Sequence, residues 1–363
     1  MISKEKKVQL VEDFEKWWNH ELKRPIIQAT LTKTEKQPCA SRGELLDMLY
    51  NFDMTPEQVA KEYRKSFENC IYLGDAFPAY YMRSTGVLGA MLGQTWDVDV
   101  QRGTIWFEEM KGKELEDLHP VLTDDNALYA RGLALTKAFV EEFGNDIGVG
   151  TPNFGGMMDI VESMRGAENS LMDLYDDPDE VIRLNDDIYA AYEKAYKENI
   201  EAVELDKVLG YTGWITLLSQ KPYFISQCDF CCMISKAHFE EFIAPTLDKE
   251  AKLIERSFYH LDGPGAVKHL DRIIESGFDG IQWVNGAGTA PKFDPCWDEI
   301  YKKIYDAGLL MQLNIDSVEE LKVIDHLYEL LGDVSHCAFI AGGYKEEDKE
   351  EFIKYMDKYG VPH

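Results

Sequence analysis

Basic residues are scarce in this 363-residue sequence, which has 38 Lys and Arg against 66 Asp and Glu and a formal net charge of -28 at pH 7. Nucleic acids and anionic membrane surfaces attract basic proteins, so the charge argues against both as partners. No apolar run approaches the roughly 20 residues that a membrane span needs. The opening segment MISKEKKVQLVEDFEKWW is typical of an amphipathic helix, because it lacks the apolar centre of a signal peptide.

Cysteines are few and irregularly spaced, and their number, seven, is odd. This usage is typical of reduced thiols, and we therefore expect a cytoplasmic protein. Cys228, Cys231 and Cys232 are close in sequence, but no second Cys-x-x-Cys pair completes a zinc knuckle, so ordinary burial is favoured. A Gly-x-Gly-x-x-Gly motif is also missing after the first predicted strand, which removes the main signature of a dinucleotide-binding fold.

A regular alternation of strands and helices begins near residue 126. The predicted strands are short, continuous apolar runs, which are typical of parallel strands covered by helices on both faces. Ser235 is placed to cap one helix, and Ser317 with Glu320 resembles a capping box at the start of another. The predicted helices span residues 126–144, 155–203 (broken near Gly166 and Asp177-Pro178), 235–256, 264–276, 296–307, 317–331 and 345–359. The predicted strands of this part are DIGVGT, KVLGYTGWITL, a strand ending at ISQCDF, SFYHL, GIQWV, LLMQLNI and CAFIA, and the preceding residues 1–125 contain the predicted strands PIIQATL and TIWFEEM.

Repeated strand–helix units of this kind form either an open doubly wound sheet or a closed barrel. The missing dinucleotide signature favours an α/β fold of the (β/α)8 TIM-barrel type with N-terminal helical additions. We expect one domain over residues 1–363. Residues 1–125 would supply the additions and the first strands, and residues 126–363 the regular β/α units.

Polar residues follow most of these predicted strands, at the end where a barrel builds its active site. His260 and Asp262 come just before a Gly-Pro-Gly turn, and strand alternation lets both point to one side. They form either a metal-ligand or acid–base pair, or a hydrogen bond that anchors the turn. The residues predicted to line one pocket are Asn153, Asp229, His260, Asp262, Gln282, Trp283, Gln312 and Asn314.

Four stretches of the sequence resemble the uroporphyrinogen decarboxylase superfamily, and together they extend over most of the chain. They are RPII, MMDIVESMRGAENSLMDLYDDPDEVIRL, ISKAHFEEFIAPTLDKEAKLI and YHLDGPGAVKHLDRIIESGFDGIQWV. The resemblance implies a β/α barrel. Members include the decarboxylases of haem biosynthesis and corrinoid-dependent methyltransferases.

The sequence departs from both of these branches. The RQAGRY stretch with which true decarboxylases hold substrate carboxylates is replaced by RPIIQATLTKTEKQP, and a porphyrin with eight carboxylates suits a strongly acidic protein poorly. Thiol-methylating members hold zinc with a His-x-Cys pair and a later Cys. Here the pair is His260-x-Asp262, and the later position falls near Gly343. By analogy with members that demethylate ethers, a zinc site would combine His260 with Asp229, Asp262 or Glu241.

On this resemblance we expect a cytoplasmic methyltransferase closer to the corrinoid-linked branch. It would move a methyl group from a small methylated compound, such as a methyl ether, to a separate corrinoid protein. The corrinoid would belong to that partner, because the Asp-x-His-x-x-Gly signature for its lower ligand is absent. The alternatives are a decarboxylase or lyase acting on a non-porphyrin acid, and a binding protein that has lost catalysis.

Overall fold

Short parallel strands separated by helices make up most of the structure, a computed structural model that describes residues 1–84 and 86–363. The strands are β1 Ile26–Thr32, β2 Cys70–Gly74, β3 Ala79–Tyr80, β4 Trp96–Asp99, β5 Thr104–Phe107, β6 Gly148–Gly150, β7 Gly210–Thr212, β8 Tyr223–Gln227, β9 Arg256–Asp262, β10 Gly280–Val284, β11 Leu310–Ile315 and β12 Cys337–Lys345. The helices are α1 Lys4–Trp18, α2 Arg42–Tyr50, α3 Pro56–Glu68, α4 Val87–Met91, α5 Ala127–Phe143, α6 Met157–Arg165, α7 Ala167–Asp176, α8 Pro178–Val203, α9 Lys236–His238, α10 Ala244–Leu253, α11 Gly263–Ala266, α12 Leu270–Glu275, α13 Asp298–Asp306, α14 Lys322–Leu331 and α15 Lys349–Tyr359. The protein is therefore of the α/β class, as the sequence predicts.

The larger sheet has seven strands in the order β2-β1-β12-β11-β10-β9-β8. All of its pairings are parallel except that of β2 with β1. A smaller parallel sheet has the order β3-β6-β7, and β4 with β5 forms an antiparallel hairpin. Among the described residues, the strand pairings do not close into one continuous ring, because β2 and β8 stay at the edges of the larger sheet.

The two parallel sheets are connected near β8. The Nδ2 of Asn153, just after β6, donates to Oε1 of Gln227 at the end of β8, with a separation of 3.3 Å. In addition, Tyr211 of β7 exchanges backbone hydrogen bonds with Ser219, which precedes β8. The carboxyl ends of the strands in both sheets therefore meet at one side of the molecule.

Helix boundaries follow the local signals in the sequence. Ser235 accepts a hydrogen bond from the backbone N–H of His238, and Ser317 accepts one from that of Glu320, so both serines cap their helices as predicted. The predicted capping box is only half formed, because the Glu320 carboxylate accepts from the backbone N–H of Asp316 and not from that of Ser317. The long helical stretch after β6 is interrupted at Gly166 and at Pro178, as predicted. No helix among the described residues is both long enough and apolar enough to cross a lipid bilayer.

The apolar run at residues 207–217 differs from its prediction as one strand. Only Gly210–Thr212 is extended as a strand, because the chain then turns back on itself through the Tyr211–Ser219 pairing. Residues 213–217 form a largely buried connection that reaches the cavity described below. Strands β2, β3 and β4 lie in segments for which the sequence predicted no strand, and they are two to five residues long.

Candidate active site

Four polar side chains form one row across the larger sheet. Gln227 of β8 is in register with His260 of β9, His260 with Gln282 of β10, and Gln282 with Gln312 of β11. Residues in register on neighbouring strands point to the same side of a sheet. The row therefore places the imidazole of His260 between the amide side chains of Gln227 and Gln282. Residues at such positions of a buried sheet are usually apolar.

A cavity of about 460 Å³ opens at the carboxyl ends of these strands. Asn153, Gln227, Asp229 and His260 line it, so three of the residues predicted for one pocket lie together. This volume is within the range that holds a small organic molecule. A larger neighbouring cavity, of about 730 Å³, includes Asn314 among its lining residues.

The orientation of His260 is set from below by Gln282. The Nδ1 of His260 and the Oε1 of Gln282 are 2.5 Å apart. With the amide oxygen on that side, the imidazole carries its proton on Nδ1 and keeps a lone pair on Nε2. Burial lowers the pKa of His260, against smaller opposing effects of Gln282 and nearby carboxylates. A neutral ring with a free Nε2 is the form that binds metal ions.

Asp229, His260 and Asp262 each offer a ligand atom, and these atoms all lie within 4.8 Å of one another. The Nε2 of His260 is 4.0 Å from the Oδ2 of Asp262, which is too long for a hydrogen bond. The alternative prediction, a turn-anchoring hydrogen bond between this pair, therefore does not apply. One imidazole and two carboxylates suit zinc as a donor set, and a three-ligand site keeps a coordination position open for another molecule.

Asp229 is the most perturbed carboxyl group of the cluster. Its side chain opens onto the cavity, yet the surrounding protein removes enough water to raise its pKa to about 7, with further contributions from Asp159 and Asp262. Asp159, on α6, accepts hydrogen bonds from the backbone N–H of Phe230 and from the amide of Gln227. Three carboxylates thus approach His260, and their mutual repulsion would be relieved by a bound cation or a proton.

The other predicted residues occupy different positions. Gln282 and Gln312 are completely buried below the cavity, and the Nε2 of Gln312 donates to Oδ1 of Asn314 at 3.0 Å. Trp283 is fully buried against Trp297 in the helical layer, because it follows Gln282 directly and alternate residues of a strand face opposite sides. The structure therefore corrects the expectation that Trp283 lines the pocket. Glu241 is exposed and is outside the ligand cluster.

Several cavity residues were not predicted. The ring of Trp214 meets the ring of His260 edge-on, with centroids 4.9 Å apart, although Trp214 belongs to the apolar run predicted as a core strand. Arg42 and Arg83 line both cavities. Asp159 and Gln227 were also missed, although Gln227 is two residues before Asp229 and could have been found from strand alternation. Arg42 and Arg83 carry no local signal of this kind, because they precede the regular part of the chain.

No protein-family model and no curated protein matches this sequence. The structure, in contrast, is similar to that of a methyltransferase from Methanosarcina mazei. The TM-score is 0.64 at 15% sequence identity, and the alignment covers 97% of this chain and 99% of that chain. At this identity the similarity establishes a shared fold over nearly the full length of both proteins.

Proposed function

We propose that this protein is a methyltransferase that moves a methyl group from a small methoxylated substrate to a corrinoid carried by a separate protein. The observation that carries the proposal is the Asp229–His260–Asp262 cluster at the cavity formed by the strand ends. The shared fold with the Methanosarcina mazei methyltransferase supports it, as does the resemblance of the sequence to the uroporphyrinogen decarboxylase superfamily.

The chemical difficulty of this reaction is the leaving group. As the methyl carbon passes to the nucleophilic cobalt, the C–O bond breaks and its electron pair stays on oxygen, and an alkoxide leaves poorly without stabilisation. A zinc ion bound by His260, Asp229 and Asp262 would supply Lewis-acid stabilisation of that oxygen. The residues of the cluster fit such an ion because His260 and the two carboxylates each offer a ligand atom, and these atoms all lie within 4.8 Å of one another.

The side chains around the cluster have separate tasks in this proposal. Gln282 holds the imidazole so that Nε2 faces the cavity. Trp214 covers one side of His260 and excludes water from it. Asp229 either binds the metal as a carboxylate or, without a metal, donates a proton to the leaving oxygen, since a pKa of about 7 keeps part of it protonated at neutral pH.

We also propose that the two parallel sheets belong to one (β/α)8 barrel domain over residues 1–363. The Asn153–Gln227 contact and the cavity shared by residues of both sheets support this arrangement. In such a barrel, the row of Gln227, His260, Gln282 and Gln312 would be one interior layer.

The first test measures metal binding and methyl transfer on the same variants. Wild-type protein should bind one zinc ion per chain, and His260→Ala should weaken that binding by about 100-fold or more. Gln282→Leu, which removes only the support of the ring, should weaken it by about 10–100-fold. Zinc affinity is measured with a competing chelator, and transfer is followed by the spectral change of cob(I)alamin supplied with methoxylated compounds.

His326→Ala is the matched control, because His326 pairs with Asp298 in the helical layer, away from the cavity. It should keep both zinc affinity and transfer. Zinc binding that His260→Ala and Asp262→Asn leave unchanged would refute the metal site. Release of CO2 from an acid substrate, without methyl transfer, would instead support the decarboxylase alternative.

A further inference from the structure

Arg42 and Arg83 stand apart from the other arginines of the chain. The structure gives neither guanidinium a hydrogen-bond or ion-pair partner among the described residues. Every other arginine has carboxylate or backbone-oxygen partners; these are Arg24, Arg64, Arg102, Arg131, Arg165, Arg183, Arg256 and Arg272. In a protein with a net charge of -28, carboxylates are abundant, so two arginines without one are exceptional.

Both of these arginines line the same two cavities. In the smaller cavity they face the space bordered by His260 and Asp229, and Trp214 borders both cavities. The positive charge of Arg83 is the largest influence lowering the pKa of Arg42, followed by burial. The two guanidinium groups are therefore close enough to repel each other, and an anion between them would remove that repulsion.

The acidic side chains of these cavities do not neutralise the pair. Asp316 borders the larger cavity but is bound to Lys292 at 2.6 Å. Asp229 borders the smaller cavity and belongs to the His260 cluster. An anion that neutralised the two arginines would therefore come from outside the described part of the chain.

The position of Arg83 is fixed by its surroundings. Its carbonyl oxygen accepts a hydrogen bond from the hydroxyl of Tyr50, at 2.9 Å. The next residue, Ser84, donates from its hydroxyl to the carbonyl oxygen of Asn153, at 2.6 Å. The segment is thus bonded to α2 on one side and to the residue that follows β6 on the other. These bonds fix the backbone of Arg83 at the wall of the cavity.

We propose that Arg42 and Arg83 bind a carboxylate group of the substrate, so that the methyl donor is a methoxylated acid. This inference rests on the proposed function, which places the methoxy group of the substrate at the His260 cluster. It adds that the opposite end of the substrate is a carboxylate held by the two arginines. Arginine is the side chain best suited to a carboxylate, since its planar fork donates two parallel hydrogen bonds. Trp214, which lines the cavity together with the arginines and meets the ring of His260 edge-on, provides an apolar surface for the body of the substrate.

The test compares the equilibrium binding of two matched ligands, 4-methoxybenzoate and 4-methoxybenzamide, which differ in charge at one end. Calorimetry on wild-type protein should show the carboxylate binding at least about 10-fold more tightly than the amide. Arg42→Gln and Arg83→Gln should each weaken carboxylate binding by about 10–100-fold and leave amide binding unchanged. Arg64→Gln, which removes the same charge at the ion pair with Glu142, should change neither affinity.

Binding measured in this way requires neither metal nor methyl transfer, and His260→Ala should keep the preference for the carboxylate. A preserved preference in a protein without transfer activity would refute only the proposed function. Equal affinity for the two ligands, no binding of the carboxylate, or an equal effect of Arg64→Gln would overturn the carboxylate site itself.

Discussion

Glu250 is a fully buried carboxyl group that takes no part in the cavity. It lies on α10, is 1% exposed, and neither carboxyl oxygen has a hydrogen-bond partner among the described residues. Burial raises its pKa to about 8, against an opposing effect of the nearby Ser226 hydroxyl, and the charge of Asp159 adds to the rise. The folded protein therefore holds Glu250 in its neutral form over most of the physiological pH range, because an unpaired buried carboxylate is strongly unfavourable.

The pH dependence of stability follows from this shift. Between the ordinary pKa of 4.5 and about 8, the unfolded chain has released the proton while the folded chain retains it. The free energy of unfolding must then fall as the pH rises through that window. Glu250→Gln should remove this decrease in the free energy of unfolding, because glutamine has no proton to lose. Relative to wild type, it should raise the free energy of unfolding by about 2–4 kcal/mol at pH 8 and leave it unchanged at pH 4.5.

Urea denaturation at pH 4.5, 6 and 8 measures this effect, and exposed Glu201→Gln serves as the control. A stability difference between Glu250→Gln and wild type that does not change with pH would show that the carboxyl is ionised in the folded state.

At the scale of elements, the β4–β5 hairpin forms one part of the cavity wall. Its second strand and the preceding turn contribute Arg102, Gly103, Thr104 and Ile105 to the cavity wall. The hairpin rests on α2 at Gly43, where a Cβ atom would come within 1.8 Å of the carbonyl oxygen of Val100. Only glycine allows the backbone of α2 and that of the hairpin to come this close. The hairpin therefore packs tightly against the helix that carries Arg42.

Gly43→Ala should therefore displace the hairpin from α2. Because the obstructing atom is backbone, the change should cost about 1–3 kcal/mol of stability. By loosening the hairpin it should also speed tryptic cleavage after Arg102, whose side chain is already exposed. Limited proteolysis and urea denaturation measure the two effects. Gly342→Ala is the control, since a Cβ atom there meets no atom of the described residues within 4 Å. An unchanged cleavage rate would contradict the close fit between hairpin and helix.

At the scale of the whole molecule, the cavity and the N-terminal helix lie at opposite ends of the strands. Trp17 and Trp18 of α1 pack on Phe258, near the start of β9, with ring centroids 6.1 and 5.6 Å away. Glu15 pairs with Arg256, the first residue of that strand. The helix thus covers the amino ends of the strands. In a β/α fold of this kind, residues at that end stabilise the protein, and the active site lies at the opposite end.

Trp17→Ala should consequently destabilise the protein by about 3–5 kcal/mol, because it removes a completely buried ring from between several aromatic neighbours. Carboxylate and zinc affinities of the protein that remains folded should be unchanged. Trp106→Ala, at a ring that is 57% exposed, should alter the free energy of unfolding by no more than about 0.5 kcal/mol. Denaturant unfolding compares the two, and equal effects would argue against α1 as part of the core.

The sequence by itself determined the regular architecture of the chain. Apolar runs of strand length, helix caps such as Ser235 and breaks such as Gly166 are local signals, and the structure follows them. The polar residues just beyond the strands could also be identified, because the carboxyl ends of parallel strands meet at one side. Asn153, Asp229 and His260 reach one cavity for this reason.

Only the tertiary structure decided which side chains face that cavity and which groups join them. Trp283 points away and Gln282 supports His260, because the face of a strand on which a residue lies depends on its register with its neighbours. Trp214 lines the cavity from a connection whose sequence predicts a strand. Arg42 and Arg83 line it from segments that precede the regular β/α units. These contacts join residues far apart in sequence, and local periodicity carries no information about such pairings.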